Sequence, residues 1–494
     1  MQTIGFDNNK YIQLQSQKIQ ERISSFGGKL YLEFGGKLFD DYHASRVLPG
    51  FKPDSKIRML LSMKDEAETI IVVSASSIEQ NKTRGDLGIT YDMDTLRLID
   101  TFSEIGILIG GVVITQYMRQ PSVDAFIKRL ENLGIRVYRH YPIDGYPTNV
   151  QKIVSEDGYG KNEYVETTKP LVVVTAPGPG SGKMATCLSQ LYHDHIRGIK
   201  AGYAKFETFP VWNLPLRHPV NMAYEAATID LNDVNMIDPY HLEATGITSV
   251  NYNRDVEIFP VLRAIFDKIY GTCPYKSPTD MGVNMVGYCI TDNDVVCQAS
   301  KMEIIRRYYD TLCRKRNGVA DAEEVYKAEL IMNQVGIDTS FRQVVKSALD
   351  KAENTGDPAA AIELPDGTIV TGKTSNLMGP AASALLNALK KLGGINDEFL
   401  LLPPVVIEPL QKLKIENLGN QNPRLHADEI LIALAISATT NPAAALAMEQ
   451  LHKLRGCQAH ISVIVSTVDK NIYRKLGMDL TCEPIYESKK FFHK

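Results

Sequence analysis

The chain has 494 residues, 23% of them charged and 44% hydrophobic, with a formal net charge of −4. That length supports about three domains with ordinary cores, and the mild negative charge excludes a general attraction to nucleic acid or to an anionic membrane. No apolar run is long enough to span a bilayer, the opening MQTIGFDNNKYIQLQ lacks a basic stretch followed by an apolar one, and seven cysteines are scattered without a C-x-x-C pair; these features point to a reduced, cytoplasmic protein.

Two copies of Phe-Gly-Gly-Lys-Leu, at 26–30 and 34–38, flank LYLEF, and the echo predicts a hairpin turning at Gly35-Gly36. Segments 69–74 (TIIVVS) and 111–115 (GVVIT) read as strands and 94–104 as a helix. Ser122 opens a helix with Phe126, Leu130 and Leu133 on one face, and 135–141 and 171–175 add two strands. Strands alternating with helices predict a mostly parallel sheet covered on both faces, a three-layer α/β domain over residues 1–235.

In such a sheet ligands bind beyond the carboxyl ends of the strands. The loops after Ser74, Thr115 and Thr175 are therefore expected at one edge. The first holds Arg84, whose guanidinium suits a phosphate or carboxylate, and Asp86, which can orient it. The second begins Gln116-Tyr117. The third reads APGPGSGK. Gly178, Gly180, Ser181 and Gly182 form a turn whose backbone N–H groups can converge on an anion, and Lys183 adds an ammonium at a helix N-terminus. The turn is P-loop-like, but Pro177 takes the first glycine position and Met184 the position of the hydroxyl that ligates magnesium. The pattern thus predicts a phosphate cradle, with a nucleotide among its candidate ligands and without the usual magnesium ligand. Cys187 lies in the first turns of the same helix, where the dipole lowers a thiol pKa, but the preferred reading of it is a buried structural cysteine.

Next comes AGYAKFETFPVWNLPLRHPVN, dense in aromatics and prolines. It reads as an irregular lid or pocket wall with Lys205, Glu207, Arg217 and His218 as lining candidates. Residues 236–335 are expected to form a mainly helical domain, with helices over 255–270 (interrupted near Pro260), 295–313 and 320–332. Residues 336–494 are expected to form a C-terminal α/β domain. Its first hairpin turns at Pro365-Asp366-Gly367. Gly372-Lys373-Thr374-Ser375 precedes an alanine-rich helix over 376–392, which places Lys373 and Ser375 at a second candidate site. No metal site is expected: H-E-x-x-H and the paired cysteines of a zinc deaminase are absent, and so is the G-x-S-x-G elbow of a hydrolase.

The strings YLEFGGKLFDDYHASRVLPGF, KTRGDLGITYDMD, VVVTAPGPGSGKMATCLSQLYH, KFETFPVWNLP and YKSPTDMGVNM carry a resemblance over nearly the whole chain. It is to an uncharacterised bacterial family, the domain of unknown function 1846 proteins. The resemblance implies a multi-domain cytosolic α/β protein whose C-terminal part is similar in shape to deaminase layers, and it brings no activity or catalytic residue. The functional expectation therefore rests on the residues themselves. It is an enzyme, a nucleotide- or phosphate-dependent transferase or hydrolase, acting on a nucleotide or sugar phosphate held at 178–183, with Arg84 and Asp86 completing the site. Two alternatives stand beside it: a non-enzymatic phospho-metabolite-binding or assembly protein, and a C-terminal active site at Lys373 and Ser375 with the Gly-Lys turn structural. Homo-oligomerisation fits such a protein, with no symmetry specified.

Overall fold

The computed structural model describes residues 4–35, 38–39, 41–84 and 87–487. They divide into two compact units, Ile4–Glu225 with Asp233–Ala299, and Ala226–Asn232 with the chain from Ser300 onward. Of the expected helical domain, residues 236–299 belong to the first unit and 300–335 to the second.

The first unit is built on one seven-stranded sheet among the described residues. Its strands are β1 (Leu30–Phe34), β2 (Ala67–Ser74), β3 (Leu108–Thr115), β4 (Val137–Arg139), β5 (Leu171–Thr175), β6 (Gly202–Phe206) and β7 (Gly282–Val283). Their order across the sheet is β7-β6-β1-β5-β2-β3-β4, and every pairing is parallel. β1, β2 and β5 are buried along their whole length, as a sheet covered on both faces requires. The covering helices include α1 (Asn8–Ser25), α2 (Tyr91–Glu104), α3 (Pro121–Asn132), α4 (Lys183–Ile196) and α5 (Asn253–Tyr270). Cys187, Leu188 and Leu191 of α4 join Phe259, Leu262 and Phe266 of α5 in one core with Tyr31, Val172, Val174 and Tyr203 of the sheet. α2 packs on β2 and β3. Pro260 sits inside α5 without ending it, since a proline removes a single ladder bond.

Two expectations are corrected here. LYLEF is not one arm of a hairpin: Leu30 pairs in parallel with both Leu171 and Gly202, and parallel neighbours need a long crossover. The turn assigned to Gly35-Gly36 includes Gly36, which lies outside the described residues. Residues 202–206, expected to be irregular, form the internal strand β6. The order of the strands also creates a crevice. After β2 the chain runs outward to β3, whereas after β5 it passes beyond β1 to β6. β2 and β5 are neighbours whose connections leave in opposite directions, the point where open α/β sheets take ligands.

The second unit opens with the later part of α6 (Asn293–Arg316). It continues through α7 (Ala322–Gln334), α8 (Gln343–Thr355), β8 (Ala359–Glu363), β9 (Ile369–Lys373), α9 (Pro380–Leu392), α10 (Ala427–Ser437), β10 (Gln458–Ile461), α11 (Thr467–Lys475) and β11 (Asp479–Cys482). The sheet order is β9-β8-β10-β11, antiparallel except for β10 with β11. The β8–β9 hairpin turns where expected, with Gly367 at φ +82°. Lys373, however, ends β9 opposite Ala359, and α9 starts only at Pro380 behind the N-cap Gly379. The Gly-Lys-Thr-Ser string is thus not a helix N-terminus, because antiparallel pairing holds its first two residues in the sheet. Among the described residues no helix is long and apolar enough to cross a membrane.

Candidate anion site at the carboxyl edge of the sheet

β5 ends at Thr175 and α4 begins at Lys183, as the sequence predicts. Within the turn Gly180 and Gly182 adopt φ of +76° and +89°, conformations that glycine takes without steric cost. Gly178 is needed for space: a Cβ there would stand 2.1 Å from the Tyr91 hydroxyl. The carbonyls of the turn are tied to the protein. Ser181 Oγ donates to Gly178 O at 2.8 Å, and Thr115 Oγ1 donates to Ser181 O at 2.7 Å. Gly182 O accepts from Thr186 N at 2.9 Å and from Thr186 Oγ1 at 3.0 Å. The amides are not tied. Among the described residues, the N–H groups of Gly178 and of residues 180–185 meet no protein acceptor.

This asymmetry leaves a row of donors at the positive end of α4. Lys183 is half-buried, and among the described residues no carboxylate pairs with it. Met184 offers no hydroxyl, and the Thr186 hydroxyl donates to Gly182 O. Cys187 follows the structural reading. It is fully buried, and burial pushes its thiol well above the ordinary cysteine range, overriding the dipole.

The three expected loops do share this edge. Besides the Thr115–Ser181 bond, Gln116 Oε1 accepts from Ser74 Oγ at 3.1 Å and Ser76 Oγ at 3.3 Å, with Gln116 held at φ +57°. Arg84 is bound to a carboxylate. Its Nη1 donates to Asp94 Oδ2 at 3.1 Å, and the fully buried Asp94 also accepts from Arg97 Nε at 2.7 Å. Asp86 lies outside the described residues. The group that reaches the turn from this side is Tyr91, with Lys82 Nζ 5.3 Å from the centre of its ring.

On the other side of β5, two strands contribute charged side chains at their carboxyl ends. Lys205 Nζ pairs with Glu207 Oε1 at 3.0 Å, and it also binds the Asp255 carboxylate and the Tyr252 hydroxyl. Trp212 Nε1 donates to Glu207 Oε2 at 3.2 Å, and Tyr203 OH donates to Glu33 Oε2 at 2.7 Å. Burial pushes the Glu207 carboxyl up to about 7, against the pull of Lys205. Burial alone would lower the Lys205 ammonium, but Asp255, Tyr252 and Glu207 outweigh it and hold it well above its usual range. The Glu33 charge acts on both Cys187 and Lys205, so it links the turn to this cluster. Lys205 and Glu207 are thus brought together as lining candidates. Glu33, Tyr252 and Asp255 escape the sequence reading. Their one signal is a charged residue one position before the end of a buried strand, at Glu33 and Lys205, which face each other in register.

Arg217 is exposed. His218 joins Asn293 and Cys297, its Nε2 lying 2.9 Å from Asn293 Oδ1 and 3.5 Å from Cys297 Sγ. The Val220 N–H donates to His218 Nδ1 at 3.3 Å, which puts the ring proton on Nε2. The imidazole therefore donates to Asn293 and cannot take a proton from Cys297.

In the second unit, Lys373 Nζ is paired with Asp357 Oδ2 at 2.7 Å. Ser375 Oγ accepts from the N–H groups of Leu377 and Met378, at 3.2 Å each. Among the described residues no group of three or more His, Cys, Asp or Glu side chains is arranged to hold a metal ion.

Residues 4–336 match the family described as "Domain of unknown function DUF1846, N-terminal", and residues 340–492 match its C-terminal counterpart. The chain is 58% identical over 494 residues to a UPF0371 protein of Streptococcus sanguinis strain SK36. It is 58% identical to one of Streptococcus thermophilus and 57% identical to one of Streptococcus pneumoniae strain JJA. Each alignment covers 100% of both chains.

Proposed function

Because the chain belongs to the DUF1846 family, whose description names no activity, we propose its function from the site itself: it binds a phosphate-bearing small molecule, a nucleotide or sugar phosphate, at residues 178–183. One observation carries this reading. Every carbonyl bond described for the turn runs to the protein, while the amides of Gly178 and residues 180–185 have no protein acceptor. Lys183 stands beside them without a carboxylate partner among the described residues, and the turn lies where the connections of the paired strands β2 and β5 leave in opposite directions. Glu207, with its carboxyl near 7, adds a group able to give or take a proton two strands away, just beyond the carboxyl end of β6. In an enzymatic reading it would serve a transfer or hydrolysis driven mainly by positioning and electrostatics. Binding without turnover is the second reading. Met184 at the hydroxyl position favours it.

The test is a thermal-shift titration of the full chain with inorganic phosphate, sugar phosphates and nucleotides, with and without magnesium, alongside an assay for product. Stabilisation is expected, and Lys183→Ala should weaken it by about tenfold or more, the worth of one hydrogen bond to a charged group. Lys373→Ala should leave it unchanged. Product formation separates enzyme from binder. A flat response to every phosphate compound, or loss of binding in Lys373→Ala alone, would overturn the assignment.

A further inference from the structure

We infer that Cys313 and Cys482 form a redox-active dithiol in the C-terminal unit, which a hydroperoxide oxidises to a disulfide joining the end of α6 to β11. The two sulfurs lie 3.6 Å apart although 169 positions separate them in the chain. The Cys313 thiol also lies within donating distance, 3.3 Å, of Cys482 O. Closing to a disulfide of about 2.0 Å needs only a small side-chain movement. The elements that carry them are fastened to each other independently. Lys470 Nζ lies 3.5 Å from Asp310 Oδ1, Tyr486 OH donates to Asn317 Oδ1 at 2.6 Å, and the Arg316 guanidinium stacks on Tyr486 at 5.2 Å. The sulfurs are therefore held as neighbours by their surroundings. Both cysteines are partly exposed, whereas Cys187, Cys289 and Cys457 are buried.

The pair is chemically unequal. The hydrogen bond from Cys313, the Val465 backbone and the Lys470 ammonium favour the Cys482 thiolate, against burial and the Asp310 carboxylate. The same bond to Cys482, together with burial, keeps Cys313 protonated. A low-pKa thiol beside a second thiol is the arrangement of a reactive and a resolving cysteine. In the first step the Cys482 thiolate attacks one peroxide oxygen, an S–O bond forms, the O–O bond breaks, and the departing oxygen leaves as water or an alcohol after taking a proton. In the second, the Cys313 sulfur attacks the sulfenic sulfur, an S–S bond forms, the S–O bond breaks, and hydroxide leaves as water with the Cys313 proton. Two thiols are oxidised by two electrons and one peroxide is reduced by two. The product closes a long loop, which restricts the unfolded chain.

The experiment treats the full chain with hydrogen peroxide, alkylates the remaining thiols and maps peptides without reduction. A peptide containing Cys313 linked to one containing Cys482, released by dithiothreitol, is expected, together with a higher unfolding temperature in the oxidised protein. In Cys313→Ser a dione probe should trap sulfenic acid at Cys482, and in Cys482→Ser the Cys313 thiol should remain alkylatable. Peroxide that leaves both thiols free, that reacts first at other cysteines, or that yields the sulfenic acid at Cys313 would overturn the proposal. The wild-type peptide map decides even where a serine variant fails to fold.

Discussion

Lys205 is a charged residue that its surroundings make necessary. It sits at the end of an internal strand with two carboxylates and a phenol directed at its ammonium. Replacing it with Met keeps the packing volume but leaves the buried Glu207 and the half-buried Asp255 without a counter-charge, a loss of about 3–5 kcal/mol. Urea unfolding of Lys205→Met should show that loss, and Glu207→Gln added to it should recover part of it. The same site sets a pH dependence. The Glu207 carboxyl is raised to about 7 in the folded chain, above an unfolded value near 4.3. The folded state therefore holds that proton more tightly. Its contribution to stability is fully present below the unfolded value and is lost as pH rises through about 7. Stability measured from pH 5 to pH 8 should decline less in Glu207→Gln than in the parent chain. An unchanged slope would show that the carboxyl is already ionised throughout.

At the scale of elements, two helix starts in the second unit share one ion pair. His426 caps α10, and its Nδ1 lies 2.9 Å from Asp469 Oδ2, in the first turn of α11. Asp469 also accepts from Ala427 N at 2.8 Å and from Ser466 Oγ at 2.7 Å. The hydrogen bond to Asp469 raises the His426 imidazole, so its contribution is complete below an unfolded value near 6.5 and is lost as pH rises through the folded one. Asp469 is lowered by His426 despite burial; its contribution is present above about 3.9 and is lost as pH falls through the folded value. The pair thus supports the unit most between about pH 4 and 6.5. Asp469→Ala should lower stability by about 3 kcal/mol at pH 6, and His426→Gln should remove the decline above pH 6.5. If the two variants follow the parent's pH profile, the ion pair has no such role. Which elements were legible in the sequence follows from similar physics. β5 and the start of α4 were read correctly because an apolar β-branched run, a glycine turn and a helix signal are all local. β6 was missed because GYAKF alternates small and polar residues and precedes a proline-rich segment. LYLEF was misread because a repeated Gly-Gly imitates a hairpin, while its true partners lie more than a hundred residues away. The Gly178–Lys183 turn is contiguous and is legible in the sequence. The Glu33–Lys205–Asp255 group exists only once three separated elements are brought together.

For the whole molecule, the family boundary and the physical boundary differ. The two family domains divide between residues 336 and 340, but the chain from Ser300 packs with the C-terminal unit. Ile304, Ile305 and Tyr309 of α6 are buried, and the Tyr309 ring lies 4.9 Å from His460 of β10, which is 0% exposed. A fragment cut at the family boundary removes α6 from that surface, together with α7, and leaves an imidazole and the apolar atoms that α6 covered facing water. A fragment beginning at Ser300 retains them. Both lack Ala226–Asn232, which contacts α7, where Lys327 Nζ donates to Asn232 Oδ1 at 2.6 Å, so that loss bears on the longer fragment alone and works against the expected difference. The fragment from 300 to 487 should unfold in one cooperative transition with little binding of a hydrophobic dye. The fragment from 340 to 487 should bind the dye and melt broadly or at a lower temperature. Equal cooperativity and equal dye silence in the two would mean that α6 and α7 contribute nothing to this unit, and that the division at 336–340 is also the physical one.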